Sequence, residues 1–249
     1  MNSSIALKEL LFRLADDEVI IGHRNMEWTG LGPILEEDIA FSSMGQDEFG
    51  HAQAYYALLH DLGETDPDHL AFYRDADDFR CAQFVELPRG DWAFSVARQF
   101  LYDAYESGRL ATLSQSSYAL LAQAARKFVG EEKYHFMHGK TWITHLAHGT
   151  AESRARLQAA LDQAFPYALG LFETTEADSA IVSEGLCAPE AELKEQWLAL
   201  ITPIVTEAGL KFPNAPAIEG GRKGQHTEHL AALLNDMQLV FRTDPEATW

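Results

Sequence analysis

Apolar residues recur at every third or fourth position along almost the entire chain, and no convincing run of strict apolar–polar alternation interrupts them. The pattern predicts helices throughout. Leu7, Leu11, Leu14, Ile21 and Trp28 share one stripe of a first helix over about 4–28. Gly30-Leu31-Gly32-Pro33 breaks it, because glycine admits positive φ and proline suits the first turn of a following helix. The second helix runs on to about 62, with Phe41, Met44, Tyr55 and Leu58 on its stripe. Residues 63–90 contain Pro67, Pro88 and several Asp, and read as an irregular crossover with one short helix. A third helix covers about 91–114, serines at 114–117 mark a turn, and a fourth helix ends near Gly149. Further helices are expected over about 151–173, 189–208 and 226–242, with a loop over 213–224.

Two helical hairpins joined by a long crossover predict an all-α fold: a four-helix bundle over about 4–148, continued by additional helices over about 151–249. The whole of 1–249 is expected to be one domain.

The stripes of this bundle are not purely apolar. Glu48 and His51 fall on the stripe of Phe41, Met44, Tyr55 and Leu58. Glu132 and His135 fall on that of Leu121, Phe128, Trp142 and Leu146. Glu18 stands between Leu14 and Ile21, and Glu106 lies near the line of Phe100, Asp103, Leu110 and Leu113. The Glu-x-x-His spacing alone is weak, since a 249-residue chain with 10 His and this many Glu supplies about one such pair by chance. Depth strengthens it. Residue 33, midway between Glu18 and Glu48, lies in the first turn; residue 119, midway between Glu106 and Glu132, lies close to the second. Glu9 and Glu27 fail this test against Glu48. All four carboxylates thus sit at mid-height, where isolated buried ions are costly and a pair of cations relieves the cost.

One Glu from each of two helices and a Glu-x-x-His from each of the other two is the ligand pattern of ferritin-like di-iron and di-manganese proteins. The expected metal ligands are therefore Glu18, Glu48, His51, Glu106, Glu132 and His135, holding a di-iron centre with Mn as the alternative ion. Asp103 and Tyr102, one turn from Glu106, are expected to back the ligands. Phe49, Tyr134 and Phe100 are expected to keep the site dry. Glu131 is read as facing solvent or Lys127, and His226, Glu228 and His229 as falling on different helix faces.

Composition narrows the function classes. The net charge of −19 opposes binding to nucleic acid or to an anionic membrane. No apolar run reaches the roughly 20 residues needed to span a bilayer. The first residues lack the charged and apolar regions of a signal peptide, and the two cysteines, Cys81 and Cys187, stand in no metal or redox motif. These features point to a cytoplasmic protein.

A resemblance sharpens the picture. Gly220-Gly221-Arg222-Lys223-Gly224-Gln225-His226-Thr227-Glu228-His229-Leu230, followed by Met237-Gln238, resembles the C subunit of bacterial phenylacetyl-CoA epoxidases. So do Arg13-Leu14 with Asp16, Glu27-Trp28, Glu36 with Asp38, Ala97-Arg98-Gln99 with Asp103-Ala104, Tyr134-His135 and the closing Trp249. The resemblance runs through essentially the whole chain and implies a component of a multicomponent oxygenase of aerobic phenylacetate catabolism. It implies a catalytic ferritin-like A subunit that carries the di-iron centre and binds the acyl-CoA, and a reductase that delivers electrons from NADPH. The reaction implied is insertion of one oxygen of O₂ into the ring of phenylacetyl-CoA as a 1,2-epoxide. C subunits of this type are described as scaffolds that have lost most of the ligands, whereas this chain keeps a full set. A metal-bearing subunit is the first reading; a non-catalytic scaffold and a ferritin-like iron-oxidising protein are the alternatives. Arg222 and Lys223, on a glycine-flanked loop, are candidate contacts for CoA phosphates or an acidic partner.

Overall fold

A computed structural model describes residues 3–244; Met1 and Asn2 at the start, and the closing Trp249, lie outside them. Four long helices form the bundle: α1 (Ser3–Met26) pairs with α2 (Leu35–Asp61), and α5 (Trp92–Leu113) with α6 (Ala119–His148). The crossover between the hairpins carries α3 (Pro67–Phe72) and α4 (Gln83–Glu86). Beyond the bundle follow α7 (Ala151–Leu169), α8 (Asp178–Ser183), α9 (Glu190–Glu207), α10 (Glu228–Met237) and α11 (Leu239–Thr243). No strand occurs among the described residues.

The additional helices do not cover the bundle evenly. α5 is packed by α6, α7 and α9, and 17 of its 22 residues are buried. α4 and α8 pack on α1, and α3 on α2. One continuous apolar cluster runs from Ala6 in α1 to Met237 in α10, so the C-terminal helices share the core of the bundle. α1 and α2 approach closely because neither carries a side chain at the crossing. A Cβ on Gly22 would lie 3.0 Å from that of Glu48, and one on Gly45 would lie 3.0 Å from the Gly22 carbonyl oxygen.

Caps match the chemistry of the starts. Asp91 accepts from the Phe94 amide at 2.9 Å to open α5, and Thr150 and Ser153 form a reciprocal capping box for α7. The crossover holds two short helices and a 3₁₀ turn (Ala76–Asp78) instead of the single short helix expected. Asp66 caps α3 with Pro67 in its first turn, while α1 supplies the partners further on. Asp16 accepts from the Arg80 amide at 2.7 Å, and Asp17 from the Ala82 amide at 2.8 Å. The helix expected over 151–173 is α-helical only to Leu169, and α8 lies where none was foreseen. The last helix starts at Glu228 and breaks at Gln238, whose buried side chain donates to the Arg74 carbonyl at 2.7 Å.

Candidate metal centre

α1, α2, α5 and α6 bring all six expected ligands into the interior. Glu18, Glu48, His51, Glu106, Glu132 and His135 are each at most 1% exposed. His51 Nδ1 lies 3.7 Å from Glu18 Oε2, 3.6 Å from Glu48 Oε2 and 3.9 Å from Glu132 Oε1. His135 Nδ1 lies 2.9 Å from Glu132 Oε1 and 3.6 Å from Glu48 Oε1. Two groups of ligand atoms, each within 4.8 Å of one another, can be drawn: Glu18, Glu48 and His51, and Glu48, Asp103 and His135. Glu48 belongs to both, as a bridging carboxylate would.

The α5 position differs from the expectation. Glu106 is buried within the same cluster but is in neither group, and Asp103, one turn earlier, takes that place. Asp103 is fully buried; its Oδ1 accepts from Gln99 Nε2 at 2.5 Å, and Gln99 Oε1 accepts in turn from Asn25. Its Oδ2 has no partner. Both oxygens of Glu18 and of Glu48, Oε1 of Glu106, Oε2 of Glu132 and Nδ1 of His51 are likewise buried without hydrogen-bond partners. Buried polar atoms are normally paired, so this many orphans converging on one centre fit cations there.

The electrostatics point the same way. Burial and the facing Glu48 push the Glu18 carboxyl well above the usual range. Burial and Glu132 push that of Glu106 up to about 8. Burial opposes ionisation of Glu48, yet the neighbouring Glu18 and the imidazoles of His51 and His135 outweigh it and bring its carboxyl down to about 2. Burial disfavours charge on the two histidines, yet the carboxylates outweigh it and raise His51 to about 9 and His135 to about 11. In the metal-free protein the carboxylates would trap protons to offset their own repulsion.

Each histidine turns Nδ1 to the centre and Nε2 outwards. His51 Nε2 donates to Glu131 of α6 at 2.9 Å, and His135 Nε2 donates to Asp47 of α2 at 3.2 Å. The pairing is crossed: the acid just before each Glu-x-x-His holds the histidine of the other helix. Such outer carboxylates fix ring orientation and raise ligand basicity. Glu131 is thus not merely a solvent or Lys127 partner, and the signal, an acid preceding each motif, was present in the sequence.

The groups that wall off the centre also differ from expectation. Phe49 is half-buried and lies edge-on to His23, lining an outer cleft, and Tyr134 is 46% exposed. Phe100 is buried and stacks on Phe136. Phe128 is the ring that covers His51, at 3.9 Å between centroids, with Tyr55 edge-on to it. The buried hydroxyls of Tyr55 and Tyr102 have no partner, and burial together with Glu18 and Glu106 raises both phenols well above their usual range.

The glycine-flanked segment serves another end. Arg222 is 3% exposed and pairs with Asp17 at 2.6 Å, donating also to the carbonyls of Arg80 and Leu171. Its guanidinium is occupied inside the fold and has no free face for CoA phosphates; Lys223, half-exposed, pairs with Glu173 at 3.0 Å. His226 lies beside Cys81 and Glu86, close enough to suggest a second metal site. Its two ring nitrogens, however, meet Glu86 at 2.6 Å and the Phe79 carbonyl at 3.1 Å, and Glu86 Oε2 accepts from Thr227. That cluster is a closed hydrogen-bond knot.

Four antiparallel helices with paired Glu-x-x-His motifs facing carboxylates from the other two define the ferritin-like architecture of carboxylate-ligated metal proteins. The match to the family of phenylacetic acid catabolic proteins extends over residues 2–249, and the chain belongs to that family. It is 34% identical over 239 residues to the 1,2-phenylacetyl-CoA epoxidase C subunit from Escherichia coli (strain K12), covering 95% of this chain and 96% of that one. Among solved structures it is similar to a Synechococcus protein with aldehyde deformylating oxidase activity. The TM-score is 0.59 at 16% identity, over 85% of this chain and 95% of the other. At that identity the likeness is one of fold.

Proposed function

We infer that the chain is a metal-bearing subunit of a multicomponent phenylacetyl-CoA ring 1,2-epoxidase acting in aerobic phenylacetate catabolism in the cytoplasm. It pairs with a catalytic A-type subunit that handles the acyl-CoA, and a reductase component supplies electrons. The observation that carries the metal part is the set of unpartnered carboxylate oxygens around Glu48. Glu18, Glu48 and His51 would hold one iron-type ion, and Glu48, Asp103 and His135 a second, with Glu132 beside both histidines. When bound, such an ion pair supplies redox equivalents for O₂ chemistry. The chain's own residues do the rest. Asp47 and Glu131 hold the imidazoles in register, and Phe128 covers one of them.

Metal analysis after anaerobic loading with Fe(II) tests this reading. About two irons per chain are expected, with loss of iron in Glu48→Ala; no iron in the wild type would sink it. One observation favours the scaffold alternative. The larger surface clefts, about 420 Å³ beside α3 and about 490 Å³ beside α7, have none of the cluster in their walls. Equal epoxidase activity of the complex with wild-type and with Glu48→Ala chains would establish the scaffold role.

A further inference from the structure

Three polar side chains inside the bundle form a line that ends at the metal centre. Asn25, in the last turn of α1, and Gln99 and Asp103 of α5 are each 0% exposed. Asn25 Nδ2 donates to Gln99 Oε1 at 2.8 Å, and Gln99 Nε2 donates to Asp103 Oδ1 at 2.5 Å. Neither amide side chain has another hydrogen-bond partner among the described residues, and Asn25 Oδ1 has none at all there. Apolar residues at these positions would spare the core the desolvation of two amides. The fold therefore has no need of the line for its own sake.

The line has a direction. An ionised carboxylate only accepts, so Gln99 turns its N–H to Asp103, and its oxygen must then face a donor, which Asn25 supplies. Gln99 and Asp103 stand four residues apart on α5, which keeps both on one face of the helix. With Oδ1 held by the amide, Oδ2 is the oxygen left for an ion, and it has no partner within the chain. Asp103 is grouped with Glu48 and His135, so the line braces that group.

The other group, Glu18, Glu48 and His51, has no such brace: both oxygens of Glu18 lack partners. The outer carboxylates do not separate the two groups, because Glu131 serves the histidine of one and Asp47 that of the other. The amide line does separate them. We propose that Gln99 and Asn25 are positioning residues for the Asp103 side of the centre alone, so that breaking the line empties that site and leaves the Glu18 site filled. Neither amide touches an ion; each acts by restraining Asp103, in an interior where hydrogen bonds are stronger than in water. The proposal rests on the metal-bearing reading above and deepens it.

Anaerobic Fe(II) titration of the purified chain tests it, with bound iron counted and Mössbauer spectra of ⁵⁷Fe-loaded samples comparing the ion environments. The variants are Gln99→Met and Asn25→Leu, which keep volume and remove the amide, Asp103→Asn as the reference for a damaged ligand, and Ile201→Ala. Ile201, buried in α9, controls for a general loss of stability. In Gln99→Met one of the two ions should bind about 10–100-fold more weakly, with the other as tight and spectroscopically unchanged as in the wild type. Asp103→Asn should lose the same ion, Asn25→Leu should weaken it to a smaller extent, and Ile201→Ala should keep both. Should Gln99→Met fail to fold, Asn25→Leu carries the same comparison. Two ions at wild-type affinity in both amide variants, an equal loss of both ions, or the same single loss in Ile201→Ala overturns the positioning role while leaving the functional reading intact. A wild-type chain that takes up no iron overturns that reading and this proposal together.

Discussion

Glu106, His51 and His135 all hold protons more tightly in the fold than they would in an unfolded chain, at about 8, 9 and 11. For Glu106 the resulting stability is fully present below the ordinary carboxylate range and is lost as pH rises towards 8. For the histidines it is present below the ordinary imidazole range and is lost as pH rises through 9 and 11. Glu48 runs the other way, but its shift to about 2 matters only at acid pH. The three groups therefore agree from the ordinary imidazole range up to about 8, above which the histidines alone carry the trend, and the metal-free protein is expected to melt at steadily lower temperature from pH 6 to 9. Glu106→Gln should flatten part of the slope. A Tm that stays level or rises from pH 6 to 9 contradicts the assignment. The outer carboxylates give a second residue-scale test. Asp47→Asn should weaken Fe(II) or Mn(II) binding by about 10–100-fold through loss of the His135 contact, with little change in fold, since Asp47 is a partly exposed edge residue. Titration calorimetry against the wild type reads it directly.

At the scale of the helix, two glycines five residues apart in α2 should respond to the same substitution with opposite signs. Gly45→Ala drives a methyl to 2.8 Å from Met26 Cγ and 3.0 Å from the Gly22 carbonyl, which α1 cannot yield without moving. A loss of about 1–3 kcal/mol is expected from such overpacking. Gly50→Ala meets open space and should gain about 0.5–1 kcal/mol from helix propensity. Urea melts of the two single variants compare them, and a loss at both positions would mean that Gly50 is packed within its own chain. The long helices and their ligand stripes were legible in the sequence because period and depth are local quantities. Glu48 and His51 interrupt an apolar stripe whatever surrounds them. That Asp103 rather than Glu106 lies grouped with Glu48 and His135 was not legible, because a single turn of α5 separates the two and only packing against the other helices sets which comes nearer. The short helices α4 and α8 were hidden for a related reason. The crossover is held by Asp16 and Asp17 of α1, and the start of α8 by Arg13 of α1, which pairs with Asp178 at 3.2 Å, rather than by patterns of their own.

Over the whole molecule, one buried contact ties the C-terminal third to the bundle. Arg222 reaches from the loop before α10 to Asp17 of α1, to the Tyr105 hydroxyl of α5 and to backbone carbonyls of both the crossover and the segment after α7. A stretch that reads as a surface loop thus holds its arginine inside the fold as a clamp. Removing one member leaves the other charged and buried, and breaking such a pair costs about 3–5 kcal/mol. Arg222→Met should therefore destabilise strongly, and hydrogen exchange should quicken first in α10 and in the Arg80–Gln83 backbone beneath it. If the clamp acts through charge pairing, the double variant Asp17→Asn, Arg222→Met should recover much of that loss, because neither partner is then left as an unpaired buried ion. If the double variant instead loses as much as the sum of its two single variants, the arginine matters for its carbonyl contacts, and the ion pair with Asp17 is incidental to holding the chain together.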